Sequence, residues 1–242
     1  MGTRATSSIK PDYGIDAPGV IRNLLIVTTL GCLAFATARA GLWSGVIAHV
    51  DLATSGLGAG LGCGFMALWM IYDSKIGKLR ERHRLLDLVP WRGSEAVLDV
   101  GCGRGLLLIG AARRLTTGNS PEATAENARR EGVSDRVEVI TGDMRKMPFP
   151  DASFDVVVSN VAIHNVYDRE GRSRTMGEIA RVLRPGGRVV IHDIRHVSDY
   201  AAELSEKGLT EVTRIGSPLL RFALMLITFG SLRPDIVTAR KP

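Results

Sequence analysis

Cysteine, aromatic residues and clustered histidines are scarce in this sequence, and each shortage excludes a class of protein. The 242 residues include three cysteines, Cys32, Cys63 and Cys102, whose wide separation matches neither a zinc spacing nor a disulfide framework. This cysteine usage favours a reducing compartment. The five histidines are also scattered, so no metal site is predicted. Aromatic residues make up 5% and no basic patch is interleaved with them, so the net charge of +6 does not indicate a nucleic-acid partner.

Charged residues are almost absent from two long apolar runs near the start of the chain. The first run covers residues 20–38 and contains only Arg22, and the second covers residues 52–72 without any charge. A membrane helix needs roughly 20 mainly apolar residues, so the pattern predicts a hairpin of two transmembrane helices. An alternative for the first run is a secretory signal ending in AFATARA, but the second run argues against simple export.

The second run contains the stretch GLGAGLGCG, in which Gly56, Gly60 and Gly64 share one helical face. Glycines at this spacing let two membrane helices approach closely. We therefore expect this face to pack against the first run or against another copy of the chain, which would make a homo-oligomer. A glycine-rich loop is the alternative, but FMALWMIY continues the apolar pattern without a break.

Basic residues flank the hairpin on one side and predict its orientation. Few charges lie between the two runs, whereas Arg4, Lys10 and Arg22 accompany the first run and Lys75, Lys78, Arg80, Arg82 and Arg84 follow the second. The positive-inside rule then places both ends in the cytoplasm. The later cluster also suits an anionic membrane surface, or is only the solvated face of a linking helix. The predicted organisation is a cytoplasmic segment at residues 1–19, a membrane hairpin at 20–73 and a cytoplasmic domain at 74–242.

A glycine-rich turn, VLDVGCGRG, connects a short β-branched strand to the helical stretch LLLIGAARRL. The dinucleotide fingerprint would need a glycine where Leu106 stands, and no Lys-Ser or Lys-Thr pair follows as in a P-loop. Asp99 at the strand end would repel phosphates and attract an ammonium or sulfonium group. The turn therefore predicts a site for a cationic nucleoside without phosphates.

Two later blocks accompany this turn, VEVITGDMRKMPFPDASFDVVVSNVAIHNV and EIARVLRPGGRVVIHDI. In this order the three blocks resemble the class I S-adenosylmethionine-dependent methyltransferases, in the branch that includes quinone, sterol and small-molecule methyltransferases. The resemblance runs from about Lys78 to the C-terminus. It implies an α/β fold with a Rossmann-like, doubly wound, mostly parallel sheet, preceded here by the membrane hairpin, and S-adenosylmethionine as the cofactor.

The same resemblance assigns roles to residues at the strand ends. The glycine turn would line the methionine moiety, Asp143 would accept the adenine amino hydrogen beside Met144, and Asn160 would flank the cofactor. Read from the residues alone, Asp143 ends a predicted strand RVEVITGD and Asn160 ends FDVVVSN, where each could also be an ordinary turn residue. The cofactor-binding candidates are Asp99, Gly101, Cys102, Gly103, Gly105, Asp143, Met144 and Asn160.

The second strand of the family has no counterpart in this sequence. In the family that strand ends in an acidic residue that grips the cofactor ribose, but here ARRLTTG runs directly into the next helix, NSPEATAENARREG. A sheet without this strand would have a groove and would leave the ribose unheld. We therefore expect a segment to be missing between Gly118 and Asn119, with Glu122 as a fallback ribose ligand.

His164 in AIHNV is the candidate catalytic base, because it follows a strand end and could take a proton from the acceptor. Its alternative role is to shape the pocket, and His192 with Asp193 is the second choice. The apolar stretch within residues 217–234 is too short to span a bilayer and could dip into the membrane surface, form a lid or pack on the domain.

The hairpin and this distal stretch favour an acceptor that partitions into lipid, such as a quinone, prenol, sterol or lipid headgroup. Alternatives are methylation of a small hydrophobic thiol or amine, and a membrane scaffold that keeps the fold without catalysis. The acceptor atom, the acceptor itself and the oligomeric state do not follow from the residues.

Overall fold

The computed structural model describes residues 12–42, 53–114, 122–219, 222 and 233–242. The chain divides into two compact units, one formed by residues 13–81 and the other by residue 12 together with residues 82–242. The junction between Gly118 and Asn119 and most of the 217–234 stretch lie outside the described residues. The sequence-based expectations for those two segments stay predictions.

The first unit is built from two apolar helices. Helix α1 (Pro18–Arg39) begins with a proline, whose missing N–H is harmless in a first turn, and α2 (Ala53–Tyr72) covers the second apolar run. A single π-helical turn (Asp73–Gly77) then leads into α3 (Lys78–Leu86). Within the described part of the chain, α1 and the helix that contains α2 are each long and apolar enough to cross a membrane. Large side chains on both are exposed, such as Leu30 at 61% and Phe65 at 68%.

Glycines bring α1 and α2 into close contact. A Cβ added at Gly31 of α1 would collide with the carbonyl oxygen of Gly56, and one added at Gly60 would lie 3.1 Å from the carbonyl oxygen of Thr28. A Cβ at Gly64 would lie 3.1 Å from Cγ2 of Thr28. The glycine face of the second run therefore packs on the first run within one chain. A contact between two copies through the same face stays a prediction.

The Gly31→Ala substitution should force the two helices apart and destabilise the hairpin by about 1–3 kcal/mol, the usual cost of overpacking. Thermal unfolding in detergent micelles, followed by circular dichroism, measures the effect. Gly58→Ala on α2 is the matched control, because a Cβ at Gly58 would meet nothing within 4 Å. Equal unfolding temperatures for the two variants would contradict the close packing.

Lys78 and Arg82 are two of the five basic residues that follow the second run, and their side chains are largely buried. The Lys78 ammonium donates to the carbonyl oxygens of Tyr13 at 2.9 Å and Gly14 at 3.0 Å. Arg82 is buried and pairs with the buried Glu131 at 3.0 Å. The basic cluster predicted from sequence is therefore not a uniform exposed surface.

The second unit contains a five-stranded sheet in the order β1-β2-β3-β5-β4. Strands β1, β2 and β3 are parallel, and β5 is antiparallel to both β3 and β4. The strands are β1 (Val97–Asp99), β2 (Phe154–Asn160), β3 (Leu183–Asp193), β4 (Thr210–Ile215) and β5 (Asp235–Arg240). The helices are α4 (Leu106–Ala112), α5 (Glu122–Arg130), α6 (Arg169–Val182) and α7 (Val197–Glu206). The predicted Rossmann-like α/β fold is confirmed.

Both faces of this sheet are covered, which explains the uninterrupted valine runs in its strands. Val157 packs in one hydrophobic cluster with Met176 of α6 and Leu204 of α7. Its neighbours Val156 and Val158 point the other way, into a cluster that includes residues of α3 and α4. Helix α6 ends at Val182, three residues before Pro185, because residues preceding a proline favour the extended conformation.

The predicted strand RVEVITGD is wrong. Residues 137–142 belong to no strand, and Asp143 forms an isolated bridge with Lys146. Among the described residues no strand pairs with this segment, and β1 lies at the edge of the sheet.

Candidate functional site

A cleft of about 910 Å³ runs along the open edge of β1, within the size range of small-molecule sites. Its floor is the strand and the glycine turn, and residues of the 137–142 segment form another wall. Six of the predicted cofactor-binding residues line this cleft, namely Asp99, Gly101, Cys102, Gly103, Asp143 and Met144.

Three glycines of the turn, Gly101, Gly103 and Gly105, have a positive φ, which other residues rarely adopt. Gly101 has φ of 78°, and a Cβ there would lie 2.5 Å from Cβ of Ala162 and 3.7 Å from Cε of Met144. Gly105 has φ of 81° and is the N-cap of α4. Gly103 lines the cleft, and a Cβ there would meet nothing within 4 Å. The turn thus offers bare backbone to a ligand.

Asp99 caps the helix that follows the turn. Its Oδ2 accepts a hydrogen bond of 2.9 Å from the backbone N–H of Leu108, in the first turn of α4. A helix N-terminus normally attracts phosphate through such unpaired N–H groups. Here a carboxylate already occupies that position, which gives a structural reason for the predicted exclusion of a diphosphate ligand.

Burial raises the pKa of Asp99 to about 7, and the hydrogen bond from Leu108 offsets only part of this effect. A cationic ligand favours the ionised carboxylate. The ionised fraction of the Asp99 carboxyl therefore rises as the pH passes through about 7. Affinity for S-adenosylmethionine should rise several-fold between about pH 6 and pH 7.5, because protonated Asp99 opposes binding.

Calorimetric titration of the full-length protein at several pH values measures this dependence. The Asp99→Asn variant is the control, since its amide does not titrate and its affinity should be flat over the same interval. An affinity that is constant or rises toward acid in the wild type would contradict the assigned role of Asp99.

Asp143 lies in the cleft wall but is held by a neighbouring cation. Arg145 donates to its two carboxylate oxygens at 2.8–3.0 Å, and these hydrogen bonds lower the pKa of Asp143 to about 2. The side chain is half-exposed and stays ionised. Each carboxylate oxygen can accept more than one hydrogen bond, so Asp143 can still accept an amino hydrogen while paired.

Asn160, at the end of β2, contacts a neighbouring strand, and its predicted role beside the cofactor stays a prediction. Its Oδ1 lies 2.8 Å from Nδ1 of His192 on the neighbouring strand β3, and Asn160 is not among the cleft-lining residues. Two carboxylates that were not predicted as ligands, Glu95 and Glu138, do line the cleft. Nothing in the sequence pattern distinguished them, because their position depends on the open edge of β1.

His164 is fixed by a buried carboxylate. Its Nδ1 lies 2.6 Å from Oδ1 of Asp193, and its backbone N–H donates to Oδ2 of the same residue at 3.0 Å. The Asp193 side chain is 0% exposed and the His164 side chain 17%. Tyr200, whose pKa is raised by burial and by the Asp193 charge, donates its hydroxyl to Asp193 at 3.4 Å. An ionised carboxylate only accepts hydrogen bonds, so this contact favours the tautomer with the proton on Nδ1, in which Nε2 has the lone pair.

His192 and Asp193, the second choice for the catalytic base, have different contacts in the structure. Asp193 positions His164, whereas His192 contacts Asn160. His164 stands in a short 3₁₀ turn (Ile163–Asn165), between Ala162 and Asn165, which both line the cleft. The structure therefore places the histidine beside the cleft and adds a buried partner for it.

Backbone strain marks the segment between β2 and this turn. Val161 has φ of 51°, which is unfavourable for a β-branched residue, and it lines the cleft. Its N–H donates to the carbonyl oxygen of His192 at 2.8 Å, which helps to hold the conformation. Strain of this kind costs on the order of 1–3 kcal/mol and persists where the surrounding structure imposes it, often at functional sites.

The cleft fits S-adenosylmethionine in both shape and charge. The bare glycine turn leaves room for the methionine moiety, and the carboxylates of Asp99 and Asp143 suit its cationic groups and the adenine amino group. Met144 lies beside Gly101 and offers an apolar contact for the adenine ring. These residues would hold the cofactor, although their individual roles stay predictions.

Known proteins agree with this assignment. Residues 98–191 match the methyltransferase domain family. Sterol 4-C-methyltransferase of Caenorhabditis elegans is 34% identical over 116 residues, covering 45% of this chain and 34% of that protein. Phosphatidylethanolamine N-methyltransferase of Cereibacter sphaeroides is 39% identical over 131 residues, covering 51% of this chain and 63% of that protein.

A solved structure shows the same fold. Geranyl diphosphate methyltransferase in complex with S-adenosylmethionine has a TM-score of 0.52 at 18% identity, covering 76% of this chain and 91% of that one. The chain spans only 34% and 63% of the two curated relatives, so the likeness concerns the domain and not their whole length. Residues 98–191 therefore resemble the methyltransferase domain family, and the second unit has the fold of a solved S-adenosylmethionine-binding methyltransferase.

Proposed function

We propose that this protein is a membrane-anchored enzyme that transfers a methyl group from S-adenosylmethionine to a lipophilic acceptor such as a quinone, prenol, sterol or lipid-like molecule. The observation that carries the transferase activity is the bare glycine turn above Asp99, whose carboxylate caps α4 at the cleft floor. This arrangement favours a cationic cofactor and disfavours a diphosphate one.

The cofactor, when bound, supplies a methyl group on a positively charged sulfur, which is already a good leaving group. The protein then contributes mainly alignment and exclusion of water. The glycine turn and Asp99 would bind the amino-acid end, while Asp143 and Met144 would orient the nucleoside end. The acceptor atom would form its bond to the methyl carbon as the carbon–sulfur bond breaks.

His164 would act as the general base where the acceptor atom carries a proton. Its Nε2 lone pair would take that proton, and Asp193 would stabilise the resulting imidazolium through the 2.6 Å contact at Nδ1. This step suits a hydroxyl, a thiol or an acidic carbon. An acceptor amine with a lone pair would not need it.

The hairpin supports a membrane location. Its helices expose apolar side chains, and they pack through glycines, as membrane helices do. The basic residues after α2, together with Arg22, favour a multi-pass topology with both ends and the methyltransferase domain on the cytoplasmic side, although Lys78 and Arg82 are engaged internally. Two relatives are named for a sterol and a phospholipid, which supports a lipophilic acceptor.

The test is to incubate the purified full-length protein with methyl-labelled S-adenosylmethionine and a lipid extract of the host. We expect label in an organic-phase product. Label only in water-soluble thiols or amines would favour a small hydrophobic acceptor instead. Recovery of the protein in the soluble fraction, without detergent, would contradict the membrane anchor.

A non-catalytic scaffold is the second candidate, and two structural features favour it. Among the described residues the edge of β1 is open where the resemblance implies the strand that grips the ribose, and Asp143 is already paired with Arg145. Both features lower the expected affinity for the cofactor. Calorimetry with S-adenosylhomocysteine separates the candidates, because an enzyme must bind this product and a scaffold need not.

A further inference from the structure

Asn127 of α5 connects the start of the described chain to the glycine turn. The residue is 3% exposed. Its Oδ1 accepts from the backbone N–H of Asp12 at 3.0 Å, and its Nδ2 donates to the carbonyl oxygen of Asp12 at 3.0 Å. The same Nδ2 donates to the carbonyl oxygen of Arg104 at 3.2 Å. The buried side-chain amide of Asn127 thus bonds to the backbone N–H and carbonyl of Asp12 and to the backbone carbonyl of Arg104 in the turn.

The Arg104 side chain also links the glycine turn to Asp12. Its guanidinium donates to the carbonyl oxygen of Asp12 at 3.3 Å and to the Asp12 carboxylate at 3.0 Å. Both side chains are more than half exposed, so this ion pair contributes little by itself. The buried hydrogen bonds of Asn127 are the stronger part, because losing one partner would leave buried polar groups without a hydrogen bond.

We infer that Asp12, Asn127 and Arg104 form a clamp that positions the glycine turn for cofactor binding, an inference that rests on the proposed cofactor site. Arg104 stands between Gly103 and Gly105, so its peptide lies in the most flexible part of the turn. Holding its carbonyl oxygen restricts the conformations that the free turn can adopt. A turn ordered in advance loses less conformational entropy when the ligand binds.

The clamp makes cofactor affinity depend on the chain segment that precedes the hairpin. Asp12 takes part mainly through its backbone, and the next residues of the sequence lead into α1. Asn127, Asp12 and Arg104 are positioning residues, because they act on the ligand through the turn. Neither Asp12 nor Asn127 is among the residues that line the cleft.

The test compares S-adenosylhomocysteine affinity among full-length variants by calorimetry, at a temperature where each is fully folded. Asn127→Ala and Asp12→Pro, which removes the N–H donated to Asn127, should each weaken binding about tenfold. The double variant should be about as weak as Asn127→Ala, because that substitution already removes the contact that Asp12→Pro breaks. Asp12→Ala keeps the backbone groups and should change the affinity less than threefold.

Arg129→Ala is the control for damage to the helix, since Arg129 is an exposed residue of α5 paired with Glu126. It should bind like the wild type. Wild-type affinity in Asn127→Ala or Asp12→Pro, or fully additive losses in the double variant, would overturn the clamp. Absence of binding by the wild type would overturn the proposed cofactor site as well, so the two failures are distinguishable.

Discussion

Gly101→Ala should bind S-adenosylhomocysteine at least about 100-fold more weakly than the wild type, a loss of about 3 kcal/mol. Two effects act together at this position. The backbone has φ of 78°, which an L-residue with a side chain rarely adopts. The added methyl group would also lie 2.5 Å from Cβ of Ala162, so the turn or the strained segment after β2 must move. Either movement changes the floor of the cleft.

Calorimetry measures the affinity, and thermal unfolding separates binding from stability. Gly132→Ala is the matched control, because Gly132 has φ of 71°, no atoms within 4 Å of an added Cβ and no part in the cleft. This control should lose about 1 kcal/mol of stability from backbone strain and keep its affinity. If both variants bind alike, the close approach of Gly101 to Ala162 has no role in the site.

His164→Ala should lower kcat by about 10²–10⁴ for an acceptor that must lose a proton, the usual contribution of a positioned base. The affinity for S-adenosylhomocysteine should stay close to that of the wild type, since the His164 ring is not among the cleft-lining residues. The labelled-cofactor assay with the lipid extract supplies the rates.

Asp193→Asn tests the positioning of the same base. An amide can donate to Nδ1 and so favour the wrong tautomer, which would move the proton to Nε2 and lower kcat without removing the imidazole. His83→Ala is the control, because His83 is an exposed residue of α3. A kcat within twofold of the wild type in His164→Ala would show that the acceptor needs no base, as for an amine.

Local sequence was sufficient to predict the structure of segments whose environment is the same along their whole length. The FDVVVSN run was predicted as a strand and forms β2, because residues buried on both faces of a parallel sheet are all apolar. The glycine turn was recognisable because its conformation depends on residues without side chains, at Gly101 and Gly105. The two apolar helices followed from length and composition in the same way.

Contacts between residues far apart in the sequence were not predictable, because the residues next to a position do not indicate which distant residue it will contact. The 137–142 segment reads as a strand, yet it has no neighbouring edge to pair with among the described residues. Asp193 lies 29 residues from His164 and Asn127 lies 115 from Asp12, and the fold alone brings each pair within hydrogen-bonding distance.

The amino-acid sequence by itself determined the ligand class of the turn, the strands buried on both faces and the two apolar helices, since each depends on residue type and spacing within a short window. The tertiary structure decided which side chains meet at the cleft, where Asn160 faces and what orients His164. Those outcomes depend on strand order and on which neighbour occupies each edge, which are properties of the whole sheet.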